Sequence, residues 1–123
     1  YPDEASSDEP VDVMIAELVR EAALEGVRDE LPHSLAVVVD EIVPRADRPE
    51  GRPMSDVRVT VYVERDSQKA IIIGRGGARL RSIGSTSRAA IERLLGVKVF
   101  LDLHVKVAKD WQRDPKQLQR LGF

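Results

Sequence analysis

Four consecutive residues near the middle of the chain, Gly74-Arg75-Gly76-Gly77, have the composition of a loop that binds an anion through its backbone. Glycine adopts positive φ angles and lacks a Cβ atom, so neighbouring N–H groups can converge on one phosphate. A helix that begins at Gly77 would add its unpaired first N–H groups and the positive end of its dipole. The same glycines also suit an ordinary corner between two helices, and composition alone leaves both interpretations open.

Basic residues are concentrated around this loop, although the chain as a whole is slightly acidic, with a formal net charge of -2. Residues 1–56 contain 15 acidic and 5 basic residues, whereas residues 57–123 contain 6 acidic and 14 basic residues. Because salt screens charges beyond about 10 Å, a local basic stripe matters more to a phosphate chain than the overall sum. The stripe also fits a solvated helix face. Its six members are Lys69, Arg75, Arg79, Arg81, Arg88 and Arg93.

Other kinds of chemistry find little support in the residue types. The chain has no cysteine, which excludes a disulfide scaffold and thiolate metal sites and suits the cytoplasm. Its two histidines, His33 and His104, lack the spacing of paired metal ligands, and we assign them to a turn and to the polar face of a strand. No P-loop motif is present to hold a nucleotide, and no apolar run reaches the roughly 18 residues of a membrane helix. The sequence therefore predicts no catalytic residue and no metal site.

Hydrophobic periodicity predicts the elements that hold the glycine loop in place. The strictest alternation, over residues 57–64, places four valines on one face, so we expect one buried and one solvated face there. Residues 71–73, three isoleucines, fit either a short helix or a buried strand. In chain order we predict a helix at 9–27, strands at 34–43 and 57–64, a short helix capped by Asp66 or Ser67, a helix from the loop to Leu95, a strand at 97–107 and a helix at 114–121.

This order of elements predicts an α+β domain. Two helices separate the second and third strands, so this connection crosses over and the two strands run parallel, whereas the first two strands are antiparallel. The result is a mixed three-stranded sheet with helices packed on one face, followed by a short C-terminal helix. Residues 1–8 are acidic, small and interrupted by proline, and we interpret them as a linker from a preceding domain. Residues 9–123 form the predicted domain.

The element order and the loop resemble the type II KH domain, an RNA-binding module. The motif that carries the resemblance is Ile72-Ile73-Gly74-Arg75-Gly76-Gly77, and family members bind the sugar-phosphate backbone of four nucleotides with it. Further segments resemble the carboxyl-terminal domain of the Era family of bacterial GTPases over about residues 30–123. These segments are 30–34 (ELPHS), 63–69 (VERDSQK), 103–107 (LHVKV), Trp111 and 121–123 (LGF).

The resemblance implies that the chain binds single-stranded RNA, namely the 3′ end of small-subunit ribosomal RNA, during assembly of the 30S subunit. It also implies a non-catalytic fragment without a cofactor, with GTP and Mg²⁺ bound only by a GTPase domain. The expected partners are the small ribosomal subunit and that GTPase domain, not DNA. The expected location is the cytoplasm, and the resemblance leaves room for a peripheral association of the intact protein with the inner membrane face. Together with the basic stripe, it implies the RNA-binding residues Ile73, Gly74, Arg75, Gly76, Gly77, Arg79, Leu80, Arg81 and Ile83.

Two further functions remain open at this point. A KH-like fold can serve mainly for contact with the GTPase domain, with weak RNA binding, and the acidic first helix is the natural surface for that contact. The glycine loop can also hold the phosphate of a small-molecule substrate in an enzyme. Salt-dependent binding of short RNA, binding only to the GTPase domain, and affinity for a mononucleotide without RNA binding distinguish the three functions.

Overall fold

The structure of the chain, a computed structural model, describes residues 10–31, 34–109 and 116. The order of elements agrees with the prediction, because two strands follow the first helix and a third follows the helix pair. The predicted linker at 1–8, His33 and Trp111 lie outside the described residues, and of the predicted helix at 114–121 only Lys116 is described, in a helical conformation. In chain order the elements are α1 (Val11–Leu24), β1 (Leu35–Pro44), β2 (Met54–Val63), α2 (Asp66–Ile73), a 3-10 turn (Arg75–Gly77), α3 (Ala78–Leu95) and β3 (Lys98–Val107).

The three strands form one mixed sheet in the order β1-β2-β3. β1 and β2 are antiparallel, with Leu35 opposite Val63, and β2 and β3 are parallel, with Met54 opposite Lys98. This confirms the predicted topology, which follows from a direct β1–β2 connection and a crossover through α2 and α3. β2 is the central strand and β3 is an edge strand of the described sheet.

The core lies between one face of the sheet and the helices. The four valines of β2 at positions 57, 59, 61 and 63 are at most 1% exposed, and isoleucines of all three helices complete this cluster. The predicted buried face is therefore confirmed. The opposite face is less solvated than predicted at Thr60, which is buried and whose hydroxyl donates a hydrogen bond to Asp40 at 2.6 Å.

α1 is shorter than predicted at both ends. It begins at Val11 rather than residue 9, because Pro10 lies before it in an extended conformation. It ends at Leu24 rather than residue 27, because Glu25 is extended and Gly26 has a φ of 80°. The short chain from Gly26 to Leu31 then turns back toward the sheet.

α2 settles the open assignment of the three isoleucines, which are helical. Neither Asp66 nor Ser67 caps this helix as predicted. The side-chain oxygen Oε1 of Gln68 instead accepts hydrogen bonds from the N–H groups of Glu64 and Arg65, at 2.9 and 3.0 Å. The side chain of Gln68 in the first turn therefore caps this helix and links it to the end of β2.

Candidate nucleic-acid interface

The loop between α2 and α3 uses its glycines for backbone conformation. Gly74, Gly76 and Gly77 have φ angles of 75°, 61° and 79°. Gly74 also has a ψ of 176°, a combination that only glycine adopts readily. A Cβ atom at this position would lie 2.6 Å from the Cβ of Arg79. The predicted need for positive φ is confirmed, and at Gly74 the lack of a side chain also lets α3 start against the loop.

The loop leaves two adjacent N–H groups without an acceptor among the described residues. The N–H of Gly74 donates to the carbonyl of Ala70 at 2.9 Å, and that of Gly77 donates to Gly74 at 3.1 Å. The N–H of Ala78 donates to the carbonyl of Arg75. Only the N–H groups of Arg75 and Gly76, both in exposed residues, remain unpaired within the loop. Neighbouring free N–H groups in a left-handed turn form a concavity that binds anions.

α3 begins at Ala78, one residue after the start that the sequence suggested, because the left-handed conformation of Gly77 cannot continue into a helix. Gly77 precedes the helix, and its N–H group, which was expected to face a phosphate, donates to Gly74 instead. Its contact with RNA stays a prediction. The first turn of α3 still directs the positive end of the helix dipole toward the loop. The free N–H groups and the helix dipole act in the same region.

The three arginines near the loop have three different environments. Arg75 is exposed, and its guanidinium has no hydrogen-bond or ion-pair partner among the described residues. The Nη1 of Arg81 donates to the carbonyl of Gly76 at 2.9 Å and so stabilises the loop. The Nη2 of Arg79 donates to the carbonyls of Ala23, at 3.0 Å, and Glu25 at the end of α1.

Arg79 is therefore held by backbone far from it in the sequence, and the Nη2 atom is not available to a phosphate. Its Nε is also buried and has no hydrogen-bond partner among the described residues. Of the predicted basic contacts, the structure leaves the guanidinium of Arg75 the most accessible. The RNA contacts of all three arginines stay predictions.

The predicted apolar contacts differ in accessibility. Ile73 and Leu80, on either side of the loop, are half-buried and pack against the core, whereas Ile83 is 3% exposed and belongs to the core. Sequence reasoning missed Leu101 and Leu103, two half-buried residues of β3. β3 is an edge strand of the described sheet and contacts both α2 and α3, the helices on either side of the loop. The edge position of β3 was the signal that could have identified them.

The electrostatic environment of the loop is one-sided. Residues 69–88 contain five basic residues and no acidic residue. The exposed face of the sheet is balanced instead: Arg58 lies 3.5 Å from Glu41, and His104 lies 3.0 Å from Asp102. His104 thus lies on the polar face of its strand, as predicted. On the same face a hydrogen bond to Asp56 raises the pKa of Arg45.

The described residues offer neither a metal site nor a membrane-spanning helix. They contain no group of three or more His, Asp or Glu side chains that could hold a metal ion. They also contain no helix long and apolar enough to cross a membrane.

The sequence of this chain is similar to a known family and to named relatives. The family model described as "KH domain" matches residues 30–112. GTPase Era of Streptomyces coelicolor is 68% identical over 123 residues, which are 100% of this chain and 39% of that protein. GTPase Era of Mycobacterium avium is also 68% identical over 123 residues, 40% of its length. The chain thus spans about two fifths of the length of these relatives.

The fold is similar to two solved structures. One is the crystal structure of Era in complex with MgGDPNP and nucleotides 1506–1542 of 16S ribosomal RNA, with a TM-score of 0.84 and 40% sequence identity. That match covers 94% of this chain and 37% of the other. The second is an Aquifex aeolicus Era variant bound to GDP and AlF4-, with a TM-score of 0.82, 39% identity, and coverage of 93% and 37%.

Proposed function

This chain belongs to the KH domain family and corresponds to the carboxyl-terminal KH domain of Era GTPases, and from this premise we propose that it binds single-stranded ribosomal RNA through the loop 74–77. The observation that carries the proposal is the pair of unpaired N–H groups of Arg75 and Gly76. They lie in an exposed turn within a segment that has no acidic residue. A phosphate oxygen is the acceptor that fits such a pair.

The loop and the edge strand β3 would contact different parts of the RNA. The free N–H groups and the guanidinium of Arg75 would hold the sugar-phosphate backbone, which fixes position without reading sequence. The half-buried side chains of Ile73, Leu80 and Leu103 offer an apolar surface for unstacked bases. An A-form duplex does not expose its bases in this way, so single strands are the favoured ligand.

The ribosomal identity of the RNA rests on the relatives. One solved Era structure contains nucleotides 1506–1542 of 16S ribosomal RNA, and this chain is 40% identical to that protein across 94% of its own length. We therefore assign to this chain the 3′ end of small-subunit ribosomal RNA and a role in the biogenesis of that subunit. RNA rather than DNA is the proposed ligand.

The catalytic activity of the whole protein is proposed to lie outside this chain. The relatives are named GTPases, and this chain spans about two fifths of their length and has no P-loop. We infer that the fragment is non-catalytic and needs no cofactor, and that GTP and Mg²⁺ bind the remaining part of the protein. A cytoplasmic location and a peripheral membrane association stay predictions from the resemblance.

A second candidate function is contact with the GTPase domain, through α1. A groove of about 480 Å³ runs between α1 and α3, and small side chains such as Ala22 and Ala90 line it. Glu25 adds negative charge to its rim, whereas Glu21 is paired with Arg28, which also lines the groove. Titration of this domain with the isolated GTPase domain tests this function. Glu25→Gln should weaken that complex and leave RNA affinity unchanged.

The proposed RNA site is tested with a matched pair of variants at Gly76, where an added Cβ atom meets open space. Gly76→Asn and Gly76→Asp have nearly the same shape, and both residues tolerate left-handed backbone better than most. Only Asp adds a negative charge beside the phosphate. In titrations with a short single-stranded RNA, we expect Asn to retain most of the affinity and Asp to abolish measurable binding. Equal affinity of the two variants would contradict a phosphate at this loop.

A further inference from the structure

The end of α3 farthest from the loop carries a second concentration of positive charge. An open cleft of about 730 Å³ lies between the β1–β2 connection, the last turn of α3 and the start of β3. Four basic side chains from these three segments line it: Arg48, Arg52, Arg93 and Lys98. Glu92 is the acidic residue in the lining, and one of its carboxylate oxygens accepts a hydrogen bond from the N–H of Val99 at 2.9 Å.

The segments around the cleft are connected by hydrogen bonds. The N–H of Arg52 donates to the carbonyl of Pro49, and the Nε of Arg48 donates to the carbonyl of Arg52, both at 3.1 Å. The N–H of Lys98 donates to the carbonyl of Pro53 at 3.3 Å. The β1–β2 connection is thus closed on itself and attached to the first residue of β3, which keeps the basic side chains together.

None of the four cleft residues forms an ion pair within the described part of the chain. Three arginines elsewhere in the described residues do form ion pairs, namely Arg28, Arg45 and Arg58. The β1–β2 connection also contains two acidic residues, Asp47 and Glu50. Neither of them lines the cleft. Like charges at close range repel one another, so an unbalanced cluster of this kind favours a bound anion. Only Arg93, in the last turn of α3, has a simple intrahelical explanation as a partner of the helix dipole.

The chemistry of the cleft favours a phosphate chain over a protein partner. Protein interfaces have an apolar centre rich in aromatic side chains. The apolar side chains of this lining are Pro53 and Val97, and it includes no aromatic residue. Exposed guanidinium and ammonium groups around open solvent instead match the multiple, hydrated oxygens of a phosphodiester backbone.

We propose that this cleft is a second contact for the RNA backbone, so that phosphates are bound at both ends of α3. The inference rests on the proposed function of the loop. α3 has 18 residues, and at 1.5 Å per residue the two sites are about 27 Å apart. A stacked strand at roughly 3.4 Å per nucleotide crosses this distance in about eight nucleotides. Arg81 and Arg88, which are seven residues apart and so on one side of α3, lie between the two sites.

RNA length separates the two sites experimentally. We would measure the affinity of an RNA of about 6 nucleotides and one of about 20 nucleotides over a range of salt concentrations. The cleft variant is Arg52→Ala with Lys98→Ala. Its control is Arg58→Ala with Lys106→Ala, which removes the same charges from the exposed sheet face.

Each phosphate neutralised on a single strand steepens the plot of log affinity against log salt concentration by about 0.7. Such a contact therefore raises the affinity about fivefold at 0.1 M salt relative to 1 M salt. The cleft variant should therefore bind the longer RNA about 25-fold more weakly at 0.1 M, with a slope smaller by about 1.4. Its affinity for the short RNA should equal that of the parent. The control should match the parent for both RNAs. If thermal melting shows the double variant to be unfolded, the single variant Lys98→Gln should lose about fivefold on the longer RNA only.

Other results would distinguish a failure of the cleft inference from a failure of the loop function. If the cleft variant binds the longer RNA as tightly as the parent while Gly76→Asp loses both RNAs, the cleft inference is wrong and the loop function stands. If Gly76→Asp retains both RNAs, the loop function itself is wrong. Equal losses of the cleft variant on both RNAs would overturn the second site in favour of diffuse attraction. Loss of binding to the GTPase domain, with RNA affinity unchanged, would assign the cleft to a protein partner.

Discussion

The two ends of α3 offer an anion two different kinds of site. At the start of the helix, glycines expose the free N–H groups of Arg75 and Gly76, and two of the three nearby arginines already hold backbone carbonyls. At its end, four basic side chains surround a cleft and none has a carboxylate partner among the described residues. The number of basic residues near a site is therefore not the number of positive groups that are free to bind an anion. The loop should depend on backbone geometry, and the cleft on charge.

The largest expected effect comes from a methyl group at Gly74. Gly74→Ala places a Cβ atom 2.6 Å from the Cβ of Arg79 in a conformation that is nearly exclusive to glycine. We expect a loss of about 2–4 kcal/mol in the free energy of unfolding, measured with urea, and the loss of RNA binding. The control is Gly51→Ala in the cleft connection, which also has positive φ but has open space around it.

Gly51→Ala should cost only about 1 kcal/mol from its φ of 83° and should leave the affinity for short RNA unchanged. Equal destabilisation by the two substitutions would mean that the contact with Arg79 does not constrain the loop. Full RNA affinity in a folded Gly74→Ala variant would contradict the dependence of the loop on backbone geometry.

A smaller effect on stability is expected at Arg79. Arg79→Met keeps much of the side-chain volume but removes the donor to the carbonyls of Ala23 and Glu25. Hydrogen bonds from a charged donor contribute about 1.5–3 kcal/mol, and we expect a loss of that size in urea unfolding. Arg88→Met, an exposed change on the same helix, should remain within about 0.5 kcal/mol of the parent. If both variants unfold at the same urea concentration, Arg79 does not hold α1 in place.

The smallest effect is expected when single positive charges are removed, and it should change RNA affinity but not stability. Arg75→Gln should weaken a short RNA about fivefold at 0.1 M salt, because it removes one free charge at the loop. Arg93→Gln removes a charge from the cleft and should not change the affinity for the same RNA. Fluorescence anisotropy titrations measure both. Equal losses would mean that the two ends of α3 do not act as separate sites.

The fold was predictable because its signals are local. Four valines at alternate positions define β2. Gly74 marks the start of the loop before α3, and Gly96 marks the end of that helix. The connection lengths then restrict the sheet to one mixed topology. The boundaries of α1 were less predictable, because the extended conformations of Pro10 and Glu25 leave little trace in periodicity.

The site was predictable only in part, because its side chains have distant partners. Nothing in the spacing of Arg79 indicates that its guanidinium reaches carbonyls 56 and 54 residues earlier in the chain. The cleft likewise brings residues of the β1–β2 connection next to the end of α3 and the start of β3, and no single segment of the sequence contains it. The sequence located the loop itself, since the conformational demand on glycine is a property of consecutive residues.

The central claim is that the N–H groups of Arg75 and Gly76 bind a phosphate. An amide NMR titration of the ¹⁵N-labelled domain with an RNA of about four nucleotides tests it most directly. We predict that the resonances of these two amides move downfield and saturate together, whereas the amides of the cleft, such as Arg52, do not move. Saturable RNA binding that leaves the amide resonances of Arg75 and Gly76 unchanged would contradict the account.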